Sequence, residues 1–176
     1  KNRERIEKNK KSVVVNDIET REEFRFDNTR SDVNNSAAFT GTGSFATDRF
    51  GNTNSAIAIN SNSTVNDSVN ISNLPQGTAA RSFSFWAKRT NNSNTMSYPI
   101  YYGRNANFQV YAVGITTNKA AIFMWHPTSN DPFAYYTSTS ADWYHYAVTT
   151  SADGIHKLYV NGVLVLTTPQ TVINTI

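Results

Sequence analysis

A chain of 176 residues, 39% hydrophobic and 16% charged with no cysteine, is long enough for one domain with its own core but has no disulfides to hold it together. The formal charge of +3 arises in the first twelve residues, where Lys1, Arg3, Arg5, Lys8, Lys10 and Lys11 outnumber Glu4 and Glu7; the remainder carries ten bases and eleven acids. That near-neutral body argues against a nucleic-acid partner, which asks for a basic stripe interleaved with aromatics, and no apolar run approaches the roughly 20 residues that a membrane helix needs.

Residues 1–23 differ from the rest of the chain. They hold all five glutamates (Glu4, Glu7, Glu19, Glu22, Glu23), and the stretch 2–11, helical by propensity, has Ile6 as its one apolar residue. A helix polar all round has nothing to bury, so this segment reads as a charged leader or linker, with an edge strand open to residues 12–15. From Phe24 onward the chain is rich in Asn (22 in the whole chain), Thr (21) and Ser (17), a mixture that suits strands joined by polar turns. Phe24 and Phe26 alternate with Arg25 and Asp27 as a first strand, before a turn-rich loop over 28–54 and short strands at 56–59 and 68–72. In 81–89 the period of two is clear: Phe83 and Phe85 fall on one face, Ser82, Ser84 and Trp86 on the other. Further strands are predicted at 98–102, 108–116, 119–125, 133–137 and 143–150. The last element is a hairpin, 157–160 and 163–167 around Asn161-Gly162, a pair that tolerates the positive φ both turn positions need. Many short strands and no helical pattern of twelve residues predict an all-β fold, one antiparallel sandwich over 24–176.

Four segments in order resemble a known family. Asp48-Arg49-Phe50-Gly51-Asn52 with Asn54-Ser55-Ala56-Ile57, then Ser82-Phe83-Ser84-Phe85-Trp86-Ala87-Lys88, Trp143-Tyr144-His145-Tyr146-Ala147-Val148-Thr149 and Lys157-Leu158-Tyr159-Val160-Asn161-Gly162 are similar to the opening segment, the S-F-W-x-K strand, the W-x-H-x-A-V strand and the L-Y-V-N-G hairpin of laminin-G-like domains. The resemblance implies a concanavalin A-like jelly roll of two antiparallel sheets. It also implies more chain after the hairpin than residues 168–176 supply, so the sandwich reads as incomplete at its C-terminal end. The open edge beside Phe24 and Phe26 would leave backbone groups unpaired, at about 1–3 kcal/mol for each buried one. The expected cover is the tail 171–176, with Val172, Ile173 and Ile176 apolar, or else the leader near Val13 and Val15, or a strand from another copy.

Glycosidases on such folds need two carboxylates flanking the sugar bond. No Glu follows Glu23, and Asp27, Asp32, Asp48, Asp67, Asp131, Asp142 and Asp153 all fall in loops or at strand ends, so the chain is expected not to be an enzyme. Of the histidines, His126, His145 and His156, no pair has metal-ligand spacing, and His145 reads as a hydrogen-bonded core residue. The family often binds Ca²⁺, and Asp27, Asp32, Asn34 and Asp48 form the implied ligand set; the alternative is that these residues cap turns. The 22 aromatics exceed what a core requires. Phe83, Phe85, Phe123 and Trp143 fit inward faces, whereas Tyr101, Tyr102, Arg104, Trp125, His126, Tyr135 and Tyr136 are the candidate ligand surface, rings that offer area at low entropic cost. The expected function is recognition or adhesion, with a glycan or surface protein as partner, at a cell surface or outside the cell. The alternative is a structural module of a surface assembly such as a phage fibre or virion decoration, in which other copies complete the sheet edge.

Overall fold

A computed structural model describes residues 22–59, 68–71, 74–90, 95–104, 106, 109–123, 133–135, 142–168 and 172–175. Expectations for residues 1–21, for residues 60–67, for Trp125, His126 and Tyr136, and for the side chains of Phe123 and Tyr135 fall outside these. Among the described residues none is helical, and the strands in chain order are β1 (Ser44–Ala46), β2 (Ala56–Ala58), β3 (Arg81–Lys88), β4 (Ser97–Gly103), β5 (Val110–Ile115), β6 (Lys119–Phe123), β7 (Phe133–Tyr135), β8 (Trp143–Thr150), β9 (His156–Val160) and β10 (Val163–Thr167). They form two four-stranded sheets, ordered β10-β9-β8-β3 and β4-β5-β6-β7, and a small β1-β2 ribbon, with every pairing antiparallel.

The sandwich arises from the alternation. Tyr111, Val113 and Ile115 of β5 with Ala120 and Ile122 of β6 share one buried cluster with Tyr146 and Val148 of β8 and Leu158 and Val160 of β9. Phe83 and Phe85 pack against it, Phe85 stacked on its in-sheet partner Tyr146 at 5.4 Å and Phe83 edge-on to Tyr111 of the other sheet at 5.3 Å, so a ring pair joins the two layers. The core also holds a polar relay. Thr150 Oγ1 is hydrogen-bonded to the Tyr111 hydroxyl and lies 2.9 Å from His156 Nδ1, both inside the apolar layer. Burial pushes the Tyr111 phenol well above its ordinary range, and the bond to Thr150 offsets part of that rise. At the β9–β10 turn Asn161 (φ 49°) and Gly162 (φ 81°) are both left-handed, the geometry predicted for this pair.

Two expectations are corrected. Phe24 and Phe26 do not form a strand. Phe26 sits at φ 56° and Asn28 at φ 51°, which curls the chain, and both rings close on Phe39 at 4.7 and 5.6 Å. The described tail residues, 172–175, do not cover that segment either. Ile173 enters the core at 2% exposure, and Thr175 forms an antiparallel bridge with Gly77, whose N–H donates to the Thr175 carbonyl at 2.7 Å. The buried Arg81 draws the tail in. It donates to Thr175 Oγ1, to the Gly77 carbonyl at 2.5 Å and to the Ala79 carbonyl at 2.9 Å, and lies over the Tyr102 ring at 5.4 Å. No carboxylate pairs with it among the described residues, so oxygens of the tail and of the 77–79 turn satisfy this cation.

Candidate functional site

The outward face of β3 carries Ser82, Ser84, Trp86 and Lys88, all exposed, while Phe83, Phe85 and Ala87 turn inward. Register then decides the neighbours. Trp86 pairs with His145 of β8 and Lys88 pairs with Trp143. The Trp86 and His145 rings lie 5.2 Å apart, and Lys88 Nζ sits 5.2 Å from the Trp143 ring. Two sequence expectations change here: Trp143 and His145 occupy the outward register of β8, half-buried, and the core histidine is His156. The single-residue difference in parity settles it, because Tyr144, Tyr146 and Val148 take the inward positions.

A turn between β1 and β2 completes this surface. The Asp48 carboxylate accepts the N–H groups of Phe50 and Asn52 on Oδ1 at 2.8 and 2.9 Å and the Asn52 side-chain amide on Oδ2 at 3.0 Å, while Gly51 takes φ 90°. Partial burial works to raise the Asp48 carboxyl, but the Asn52 and Phe50 bonds and the neighbouring Arg49 charge outweigh it and hold it below the usual carboxylate range. The turn therefore presents Arg49 and Phe50 rigidly. The Arg49 guanidinium carbon lies 4.2 Å from the Phe50 ring centroid and 4.5 Å from that of Trp86. The cation thus contacts two rings that are 73% and 43% exposed. No hydrogen bond or ion pair to the described residues occupies its N–H groups. Across the sheet, His145 donates its N–H to Asn161 Oδ1 at 2.9 Å and accepts the Asn161 N–H on its carbonyl at 2.8 Å, so the hairpin turn fixes the histidine's backbone.

The predicted aromatic surface is only partly assembled. Tyr101 is 52% exposed and lies near Tyr98, 45% exposed, on the same strand. Tyr102 points to the core side, its hydroxyl buried with no protein partner among the described residues, because adjacent strand residues face opposite ways. Arg104 is exposed just beyond β4, and Tyr135 ends β7 at the register position opposite Lys119. Arg49, Phe50, Trp86 and His145 were not among the sequence-predicted site residues. Their segments stood out only as family marks, and nothing local says that the 48–52 turn folds over β3.

The predicted calcium ligands are occupied by turns. Asp32, 2% exposed, accepts the Asn34 and Ala37 N–H groups at 2.8 Å each, and the Ala37 bond foremost, against the cost of burial, holds its carboxyl low. Asp27 accepts the Ser55 hydroxyl at 3.3 Å, and Asp48 closes its own turn. These bonds leave further lone pairs on each carboxylate, and among the described residues no group of three His, Cys, Asp or Glu gathers as a metal site. Of the other described acids, Asp153 accepts the Ser151 hydroxyl, Asp142 precedes β8, and Glu22 accepts the Ser36 hydroxyl that also bonds to Asp32.

A family model described as the Concanavalin A-like lectin/glucanases superfamily matches residues 60–175. Among solved structures, the chain is similar to domain 4 of AbnA, a GH43 extracellular arabinanase from Geobacillus stearothermophilus, in complex with arabinotriose. The identity is 16% and the TM-score 0.52, over 88% of this chain and 78% of that one, a likeness of fold. No curated protein matches the chain.

Proposed function

Because the chain belongs to the concanavalin A-like lectin/glucanase superfamily, we propose that it is a non-catalytic carbohydrate-binding module that works outside the cell. One observation carries this reading: the exposed Trp86 ring, with the Arg49 guanidinium over it and the exposed Phe50 alongside. A pyranose or furanose ring presents an apolar C–H face and a rim of hydroxyls. An indole supplies the apolar contact, and a neighbouring cation with unoccupied N–H groups supplies donors to the rim. Both rings have few rotatable bonds, and the Asp48-capped turn holds Arg49 in place before any ligand arrives, which lowers the entropic cost of binding. The fold neighbour, a domain of an extracellular enzyme solved with arabinotriose, supports both a sugar ligand and the location. The non-catalytic reading rests on the acid of this turn: hydrolysis needs a proton donor and a second carboxylate about 5–10 Å away, and the Asp48 carboxylate beside Arg49 is bound to its own turn's N–H groups.

The test is affinity electrophoresis of the chain through gels containing a panel of polysaccharides, arabinan included, beside the variants Trp86→Ala and Tyr101→Ala. Retardation by at least one polymer that disappears in Trp86→Ala supports the reading. Loss in Tyr101→Ala instead moves the site to the β4 surface, no retardation by any polymer overturns the function, and release of reducing sugar overturns its non-catalytic character.

A further inference from the structure

Asn161-Gly162 is the one Asn-Gly pair in the chain. Such a pair carries a chemistry of its own. The backbone nitrogen that follows an asparagine can attack the side-chain amide carbon, and glycine, with no Cβ, lets the two approach most closely. Nothing shields these atoms from solvent. Both residues are exposed, the Gly162 N–H makes no hydrogen bond among the described residues, and a Cβ built on Gly162 would meet nothing within 4 Å. What keeps the two atoms apart is the strand order. Asn161 Oδ1 accepts the His145 N–H at 2.9 Å, and the Asn161 N–H donates to the His145 carbonyl at 2.8 Å, so the amide is drawn toward β8. Gly162 leads into β10, which lies on the other side of β9. The electrophilic carbon and the nitrogen that would attack it are thus directed to opposite sides of one strand, with Asn161 and Gly162 both held left-handed at φ 49° and 81°.

We propose that Asn161 is the site of spontaneous deamidation in this chain, that the fold protects it until the β9–β10 turn opens, and that the isoaspartate formed there cuts the tie to His145. The step needs only water. Gly162 N gives up its proton to solvent and bonds to Asn161 Cγ; the Cγ–Nδ2 bond breaks, and the nitrogen takes up a proton and leaves as ammonia. Water then opens the cyclic imide. Breaking the bond between Cγ and nitrogen gives an ordinary aspartate. Breaking the bond between the main-chain carbonyl carbon and nitrogen gives isoaspartate, whose backbone runs through the former side chain and is longer by a methylene. Aspartate tolerates the left-handed φ and keeps an oxygen where the His145 N–H points. Isoaspartate carries its carboxylate directly on Cα, and its lengthened turn no longer matches the Val160–Val163 pairing. The His145 N–H then loses its acceptor, beneath a ring that lies 5.2 Å from Trp86. Any effect on a ligand rests on the carbohydrate-binding reading; the modification and its effect on His145 do not.

The full chain is aged at mildly alkaline pH, folded in buffer and unfolded in urea, and followed by ammonia release, intact mass and isoaspartate-specific methylation with peptide mapping. In urea, position 161 should be modified ahead of the Asn-Ser pairs such as Asn35-Ser36 and Asn54-Ser55, and Gly162→Ala should suppress it. In the folded chain the same position should be modified about tenfold or more slowly, because the reaction waits on local opening of the turn. Modification elsewhere first, or equal rates in the folded and unfolded chain, overturns the proposal. The aspartate and isoaspartate fractions are then refolded, separated by anion exchange and compared by hydrogen exchange at the His145 amide, with Asn161→Asp as reference. Faster exchange in the isoaspartate fraction alone is expected. Equal exchange overturns the tie to His145, and failure of that fraction to refold overturns the claim that the damage is local. Retardation in polysaccharide gels should fall in the isoaspartate fraction; absence of retardation in the unmodified chain overturns the carbohydrate-binding reading and leaves the exchange result standing.

Discussion

Truncating Ile173 to alanine tests whether the tail belongs to the fold. Ile173 is 2% exposed and sits in the inter-sheet cluster, although it lies beyond the last strand and its segment is tied by the Gly77–Thr175 bridge to the turn before β3. Ile→Ala at such a site costs about 2–5 kcal/mol, lost transfer energy plus the cavity left behind. A terminal segment can settle into part of that cavity, so about 3 kcal/mol is expected here, which for a chain of this length corresponds to a fall in Tm of about 6–12 °C at 2–4 °C per kcal/mol. Val172, next door and 48% exposed, is the control, and Val172→Ala should stay within about 0.5 kcal/mol. Thr175→Val should fall between them, since it removes the hydroxyl that accepts from Arg81 and leaves a buried donor short of a partner at about 1–3 kcal/mol. Urea titrations monitored by the fluorescence of the three tryptophans give the three values directly. If Ile173→Ala and Val172→Ala unfold at the same urea concentration, the tail is not docked and the account of Arg81 fails with it.

Gly103→Ala and Gly51→Ala separate clash from backbone strain. Both glycines are left-handed (φ 98° and 90°), but a Cβ at Gly103 would collide with the Gln109 carbonyl oxygen while one at Gly51 meets nothing within 4 Å. Gly51→Ala should cost only the strain, about 1–3 kcal/mol, and Gly103→Ala clearly more; equal losses in melting would refute the packing given to the end of β4. Asp32 has a folded pKa below its ordinary value, so its contribution is present above about pH 3.9 and lost as the pH falls further, and the stability gap between wild type and Asp32→Asn should shrink over that range. Tyr111 has a raised folded pKa, so its contribution is present below about pH 10 and lost as the pH climbs; the alkaline fall in stability should be shallower in Tyr111→Phe, and an unchanged slope would contradict the burial of the phenol.

Much of the sandwich was legible because its signals are local. The Asn161-Gly162 turn depends on two residues, and the faces of β3 depend on a period that can be counted. Phe24 and Phe26 show where this stops: they have the same period as Phe83 and Phe85, but a left-handed Phe26 and the partner Phe39, thirteen residues on, take them out of any sheet. Trp143 and His145 were misplaced by one register, an error that flips a whole strand, because Trp143 and Tyr144 are equally plausible inward rings. The Arg49 platform was hidden for another reason. It joins a turn at residue 49 to strands at 86 and 145, and its chemistry appears only when those segments meet.

The Asn161 turn ties distant parts of the chain together in a way that divides the loops into two kinds. The connection from β8 to β9 keeps its bonds to itself: Ser151 closes on Ile155 and Asp153, and nothing beyond residues 151–155 depends on those bonds. The β9–β10 turn grips the backbone of His145, sixteen residues upstream, through both its side chain and its N–H. Extra residues inserted at 152–153 would extend a self-contained bend, whereas the same insertion at 161–162 would release the strand beneath Trp86. The sheet thus has one end where a tag or a grafted loop is structurally silent and another where it would be felt at the Trp86–His145 ring pair.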